Sequence, residues 1–218
     1  MIIAEQKALT EIEDMVGPYR KILVVGCGTC MTFCSAGGPD EVGQLAEALA
    51  SGNKDIVVEK STIPRQCAVK FIDRLESKVG DYEAILSMAC GNGVQAVASR
   101  FPNKPVLPAL NTQFIGVEAE SGIWTETCMA CGDCILWRTG GICPVTRCAK
   151  GLLNGACGGA SEGKCEVSKD RPCAWQEIYH ALKRLNMLHY LKEKPQVKDW
   201  PIHPGRVVRQ DLREVEAS

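Results

Sequence analysis

Thirteen cysteines in a chain of 218 residues constrain this fold more than any other feature. They are not scattered. Cys27, Cys30, Cys34, Cys67 and Cys90 occupy the first half, and Cys128, Cys131, Cys134, Cys143, Cys148, Cys157, Cys165 and Cys173 crowd into one stretch of the second. The opening MIIAEQKALTEIEDMVGPYR carries acidic groups and lacks the charged-then-apolar pattern of an export signal. No apolar run reaches the roughly 18 residues of a membrane span. The expected setting is therefore soluble and cytoplasmic, without membrane insertion, where reducing conditions disfavour a disulfide framework. The odd count also leaves at least one thiol outside any complete set of pairs. Metal or cluster ligation by thiolate is the expectation. A net charge of −1 gives no whole-chain attraction for nucleic acid or anionic membranes.

Apolar runs separated by amphipathic stretches predict an α/β fold. Residues 4–16 read as a helix with Leu9, Ile12 and Val16 on one face. KILVV (21–25) reads as a buried strand, 39–50 as a helix opened by Pro39 with Asp40 and Glu41 in its first turn, and DIVVE (55–59) as a second strand. A helix over 67–79 (Val69, Ile72, Leu75, Val79), a strand over 84–89 and a short helix over 93–101 follow. KPVLPAL (104–110) reads as an edge strand, since Pro105 and Pro108 cannot donate to a ladder. Near-continuous apolar strands point to a small parallel sheet with flanking helices. Residues 1–122 are thus expected to form a cysteine-bearing α/β domain. A Cys-rich, metal-cluster-stabilised segment with a packing helix at 174–193 spans 123–193, and 194–218 forms an extended arm. That helix and the Pro-rich arm are also candidates for gripping a partner.

In GCGTCMTFC, the glycines after the first strand raise two possibilities. A dinucleotide-binding turn would need Gly or Ala where Met31 stands, and an acidic residue about 20 positions on, for which Glu59 is weak support. Alternatively, the turn exposes thiolates. Ligands collect at the carboxyl ends of parallel strands, where Cys27 and Cys30 follow one strand, Cys90 another, and Cys67 opens a helix nearby. Those four, with Cys34 as a fifth candidate, form a first ligand group, and Gly28 and Gly91 are expected to bring backbone amides against cluster sulfurs.

Cys128-x2-Cys131-x2-Cys134 matches the first three ligands of the bacterial ferredoxin run, and Cys143-Pro144 its ending, although eight residues instead of three precede that cysteine. With Cys148, Cys157, Cys165 and Cys173, eight thiols suffice for two four-thiolate sites. Zinc suits such donors too. His180, His189 and His203 read as solvated or packed, and Asp133 and Glu166 as outer or surface groups. Arg138, Arg147, Lys150, Lys164, Lys169 and Arg171 interleave with the cysteines, either compensating anionic clusters or forming a patch for an acidic electron carrier.

GCGTCMTFCSAGG, RQC, SMACGNGVQ, PALNTQFIG, CMACGDCILWRTGGICPVTRCAKGLLNGACGG and GKCEV together resemble the methylenetetrahydrofolate reductase C-terminal domain family, over about residues 20–180. That family includes the small iron–sulfur subunit of the flavin-dependent reductase of acetogenic bacteria. The resemblance implies a non-catalytic subunit carrying one to three [4Fe–4S] clusters, with zinc possible at one site and the cysteines as ligands. It also implies a (β/α)8-barrel partner that holds FMN or FAD and reduces 5,10-methylenetetrahydrofolate in the reductive acetyl-CoA pathway. Ferredoxin or another carrier would supply electrons. Two other readings stay open: a zinc-stapled structural subunit, and a reductase acting through a thiol or an open cluster.

Overall fold

The computed structural model describes residues 1–52, 54–194 and 197–209, and it divides into two compact units, 1–126 and 127–218. The first unit is mixed α/β. Its parallel sheet has the order β3-β2-β4-β5, formed by β2 (Lys21–Cys27), β3 (Val57–Ile63), β4 (Ala84–Met88) and β5 (Val106–Pro108). The alternation of side chains along β2 and β4 explains why these runs are apolar throughout. Leu23, Val25 and Ile85 enter a core with Ile72, Leu75, Val79 and Val97, while Ile22, Val24 and Leu86 enter the opposite one with Ile12, Val16, Val42, Leu45 and Leu49. β5 lies at the edge, as its prolines require.

A second sheet, β1-β6-β7, was not expected. Residues 4–6 belong to β1 (Ile2–Gln6), which pairs antiparallel with β6 (Leu110–Glu120), and the predicted helix begins only at α1 (Leu9–Val16). Ile2 and Ile3 favour extended backbone, and β6 supplies a long partner that local periodicity could not reveal. β7 (Ile123–Cys128) completes this sheet. β3 runs to Ile63, beyond the expected strand. The 67–79 helix is broken into α4 (Val69–Ile72), a 3-10 turn (Asp73–Leu75) and α5 (Glu76–Val79), with Val69 exposed. The remaining helices of this unit are the single turn α2 (Cys30–Phe33), α3 (Pro39–Gly52) and α6 (Gly91–Arg100).

The second unit holds the short α7 (Pro144–Arg147) and α8 (Ala174–Arg184), and its buried apolar cluster among the described residues is Cys173, Trp175, Ile178 and Leu182. α8 stops well short of residue 193. Asn186 takes a left-handed φ of 56°, and Met187 N–H reaches back to the Leu182 carbonyl at 2.8 Å, a closure that ends helices. A separate 3-10 turn, Leu188–Leu191, follows. Part of the expected arm folds back on its own unit: Asp199 N–H donates to Asp133 at 3.3 Å, and Pro201 lies against Gly132. Residues 195–196 and 210–218 of that arm lie outside the described residues. No helix among the described residues is long and apolar enough to cross a membrane.

Gly37 shows how tightly the sheet edge is built. A Cβ there would fall 2.2 Å from the Met88 carbonyl oxygen, while the Gly37 carbonyl accepts the Cys27 N–H at 2.9 Å. Gly37→Ala should therefore destabilise the protein by about 1–3 kcal/mol in urea unfolding. Gly80→Ala, which meets nothing within 4 Å, should change stability by less than about 1 kcal/mol.

Candidate metal centres

All thirteen cysteines are free. In the first unit, Cys27 ends β2, Cys67 follows β3, and Cys90 follows β4 as the N-cap of α6. Cys67 is held in place by its neighbour. Gln66 is fully buried, donates from Nε2 to the Val25 carbonyl at 2.8 Å, and accepts from Ser87 Oγ at 2.6 Å, so it ties the Pro64–Cys67 loop to β2 and β4 together. Burial pushes the Cys67 thiol up, negative charge on Cys27 and Cys90 adds to that, and Arg65 opposes it. These three sulfurs therefore share one electrostatic neighbourhood at the carboxyl edge of the sheet. Gln66 stands within the RQC string, but a lone polar residue beside a cysteine carries no signal of its burial.

Cys30 opens α2, behind the turn. Cys34 is as buried as Cys27, but its Sγ faces carbonyl oxygens, 3.9 Å from that of Ala4 and 3.8 Å from that of Met31. Burial pushes its thiol up, and charge at Cys30 adds to the shift. These contacts suit a protonated thiol, which makes Cys34 the outlier of the five. The expected glycine amides are spent elsewhere: Gly28 N–H donates to the Ile63 carbonyl and Gly91 N–H to Thr112 Oγ1, both at 2.9 Å. Their roles are to lock the turn and the start of α6, not to face sulfur. A nucleotide turn is not built either, since Met31 is fully buried and α2 is too short to offer an anion a helix terminus.

In the second unit, Cys128 ends β7. Ala130 adopts a left-handed φ of 54°, uncommon for a residue with a side chain, and Gly132 one of 78°. The chain so turned brings Ala130 N–H to Cys128 Sγ at 3.4 Å. Gly159 N–H meets Cys157 Sγ at the same distance. That hydrogen bond, with help from Lys150, lowers the Cys157 thiol below its ordinary range. Cys143 caps α7 ahead of Pro144, Cys148 follows it, and Cys165 and Cys173 pair through backbone with Arg171 and Gly163. Cys131 and Cys134 flank Gly132 and Asp133.

Among the described residues, no three Cys, His, Asp or Glu side chains stand close enough together to hold one metal ion. The donor set itself suits soft metals: thiols only, with backbone N–H groups on two of them. His180, His189 and His203 are exposed, His180 and His189 against tyrosine rings. Three interleaved cations are already paired: Arg138 with Glu193 at 3.0 Å, Arg147 with Glu177 at 2.8 Å, and Lys150 with Glu166.

Two measurements check this geometry. In chelator-treated protein, iodoacetamide labelling followed by mass spectrometry across pH should modify Cys157 at lower pH than Cys67, because the thiol with the lowered pKa ionises first as pH rises. The reverse order contradicts the arrangement. Gln66→Leu leaves the Val25 carbonyl and Ser87 hydroxyl without their partner and should cost about 1–3 kcal/mol of stability.

Residues 107–201 match the family described as methylene-tetrahydrofolate reductase C terminal. The cysteine strings before residue 107, on which the wider resemblance also rested, lie outside this match. No curated protein and no solved structure matches the chain.

Proposed function

We propose that this chain, with its methylene-tetrahydrofolate reductase C-terminal segment, is the iron–sulfur electron-transfer subunit of a methylenetetrahydrofolate reductase complex in the cytoplasm. Its place is between ferredoxin, or another carrier, and the flavin of a (β/α)8-barrel catalytic partner in one-carbon metabolism. The observation that carries this reading lies inside the matched segment. Eight cysteines fall in a unit whose buried apolar cluster is, among the described residues, four residues, one of them Cys173. So small a core leaves a fold in need of another source of cohesion, and metal–thiolate bonds supply it.

Cys27, Cys30, Cys67 and Cys90 are the proposed ligands of one centre, with Cys34 as a structural thiol. The eight cysteines from Cys128 to Cys173 provide for up to two more. A bound [4Fe–4S] cluster supplies one-electron chemistry at a potential set by burial and by hydrogen bonds to sulfur. This chain's contribution is to present thiolates, to hold Cys67 through Gln66, and to direct the Ala130 and Gly159 amides at Cys128 and Cys157. Those two N–H···S contacts serve zinc-bound thiolate equally well, which favours zinc as the second reading for a site in this unit.

Iron, acid-labile sulfide and zinc measured on anaerobically purified protein, with EPR after dithionite, test the reading. Cys131→Ser and Cys90→Ser should each lose about four irons, the content of one cluster, and Cys34→Ser should retain full iron. The native protein should co-purify with a flavin-containing barrel subunit. A colourless preparation holding zinc alone, unchanged by dithionite, overturns it.

A further inference from the structure

Three of the four tryptophans in this chain line a single cavity of about 730 Å³ in the second unit. Trp137, Trp175 and Trp200 are joined there by Tyr179 and Tyr190. Two of these rings are conspicuously open, Trp137 being 59% and Trp200 52% exposed. Large aromatic side chains gathered about a concavity of this size, and left accessible, are what small-molecule sites are made of.

The rings are fixed in place. Trp137 and Tyr190 pack edge to face with centroids 5.2 Å apart, and the Arg138 guanidinium lies over both, at 5.3 and 5.9 Å. Arg138 is itself tied to Glu193. The Lys198 ammonium, on a side chain only 3% exposed, lies 5.1 Å from the Trp200 centroid, donates to the Asp133 carbonyl, and has the Asp133 carboxylate at 3.9 Å. Each cation that holds a ring thus has its own carboxylate, and the charges in the lining cancel. An anionic ligand gains little from such a wall, while a flat neutral one gains stacking on the exposed rings. Trp175 Nε1–H is already committed to the Leu152 carbonyl at 3.0 Å. The side-chain amides of Asn154 and Gln176, also in the lining, make no hydrogen bond among the described residues. An amide offers both donor and acceptor, the pattern that matches the edge of a ring bearing N–H and C=O or ring nitrogen.

We propose that this cavity binds a neutral, planar, fused-ring heteroaromatic molecule, stacked on Trp137 and Trp200 and read at its edge by Gln176 and Asn154. No cysteine lines the cavity, so ligand binding and metal content are separate readouts on one sample.

The full chain, purified anaerobically and assayed for metal, is titrated with riboflavin and adenosine as neutral fused-ring probes and with ribitol as the ringless control. Binding is followed by tryptophan fluorescence and, for riboflavin, by quenching of its own emission. Saturable binding of at least one ring probe is expected, with none of ribitol, and little change on raising salt, because no net charge is engaged. Trp137→Ala and Gln176→Leu should each weaken that binding by about tenfold, with metal content and circular dichroism unchanged; both positions are at least partly exposed, so folding should survive. Failure of both probes to saturate overturns the proposal. So does binding that Trp137→Ala leaves intact, or clear preference for adenosine 5′-monophosphate over adenosine.

Discussion

One buried amide holds the carboxyl edge of the parallel sheet together. Gln66 has no access to solvent, and its two hydrogen bonds run to different strands, to the Val25 carbonyl of β2 and from the Ser87 hydroxyl of β4. In a core otherwise lined by Leu, Ile and Val, each of those polar atoms would be costly alone, so the three are stable only as a set. Cys67 comes next in the chain and inherits the position that the set imposes. Cys27 and Cys90 are placed by the same two strands, one at the end of β2 and one just beyond β4. The geometry of this thiol group is therefore a property of the sheet and not of the loops that carry it.

Much of the first unit was legible because buried parallel strands announce themselves as unbroken apolar runs. KILVV and AILSM could hardly be anything else, and the prolines flanking Val106 marked an edge. The β1-β6-β7 sheet was not legible. Its strands are half exposed, so LNTQFIGVEAE carries no strong alternation, and IIAEQ gains its extended state from a partner more than a hundred positions away. The length of α8 was overstated because Leu185, Leu188 and Leu191 continue a helical spacing, although Asn186 was a usable stop signal. Cysteine grouping was plain from spacing alone. The contact of Cys34 Sγ with the Ala4 carbonyl was not, since it depends on the unforeseen β1. Nor could spacing show that the Gly28 and Gly91 amides serve Ile63 and Thr112.

The second unit is organised on other lines. Turns, two short helices and a small apolar cluster do little to fix its thiols, and ion pairs such as Arg138–Glu193 and Arg147–Glu177, open in part to solvent, are each worth little in water. Of the six basic residues threaded among its cysteines, Arg138, Arg147 and Lys150 are neutralised within the unit. A broad positive field is correspondingly reduced, and Lys164, Lys169 and Arg171 concentrate near one hairpin around Cys165.

The contrast in support has a dynamic consequence. A buried thiol at the end of a central strand, as Cys27 is, becomes uncovered only when the sheet itself opens, an event close in free energy to global unfolding. A thiol carried on irregular backbone is reached through small local fluctuations. Chelators, oxidants and isotope-labelled water will accordingly meet two kinetic populations of cysteine in one chain, a fast one that includes the exposed Cys128, Cys134 and Cys157 and a slow one made of the buried Cys27 and Cys34.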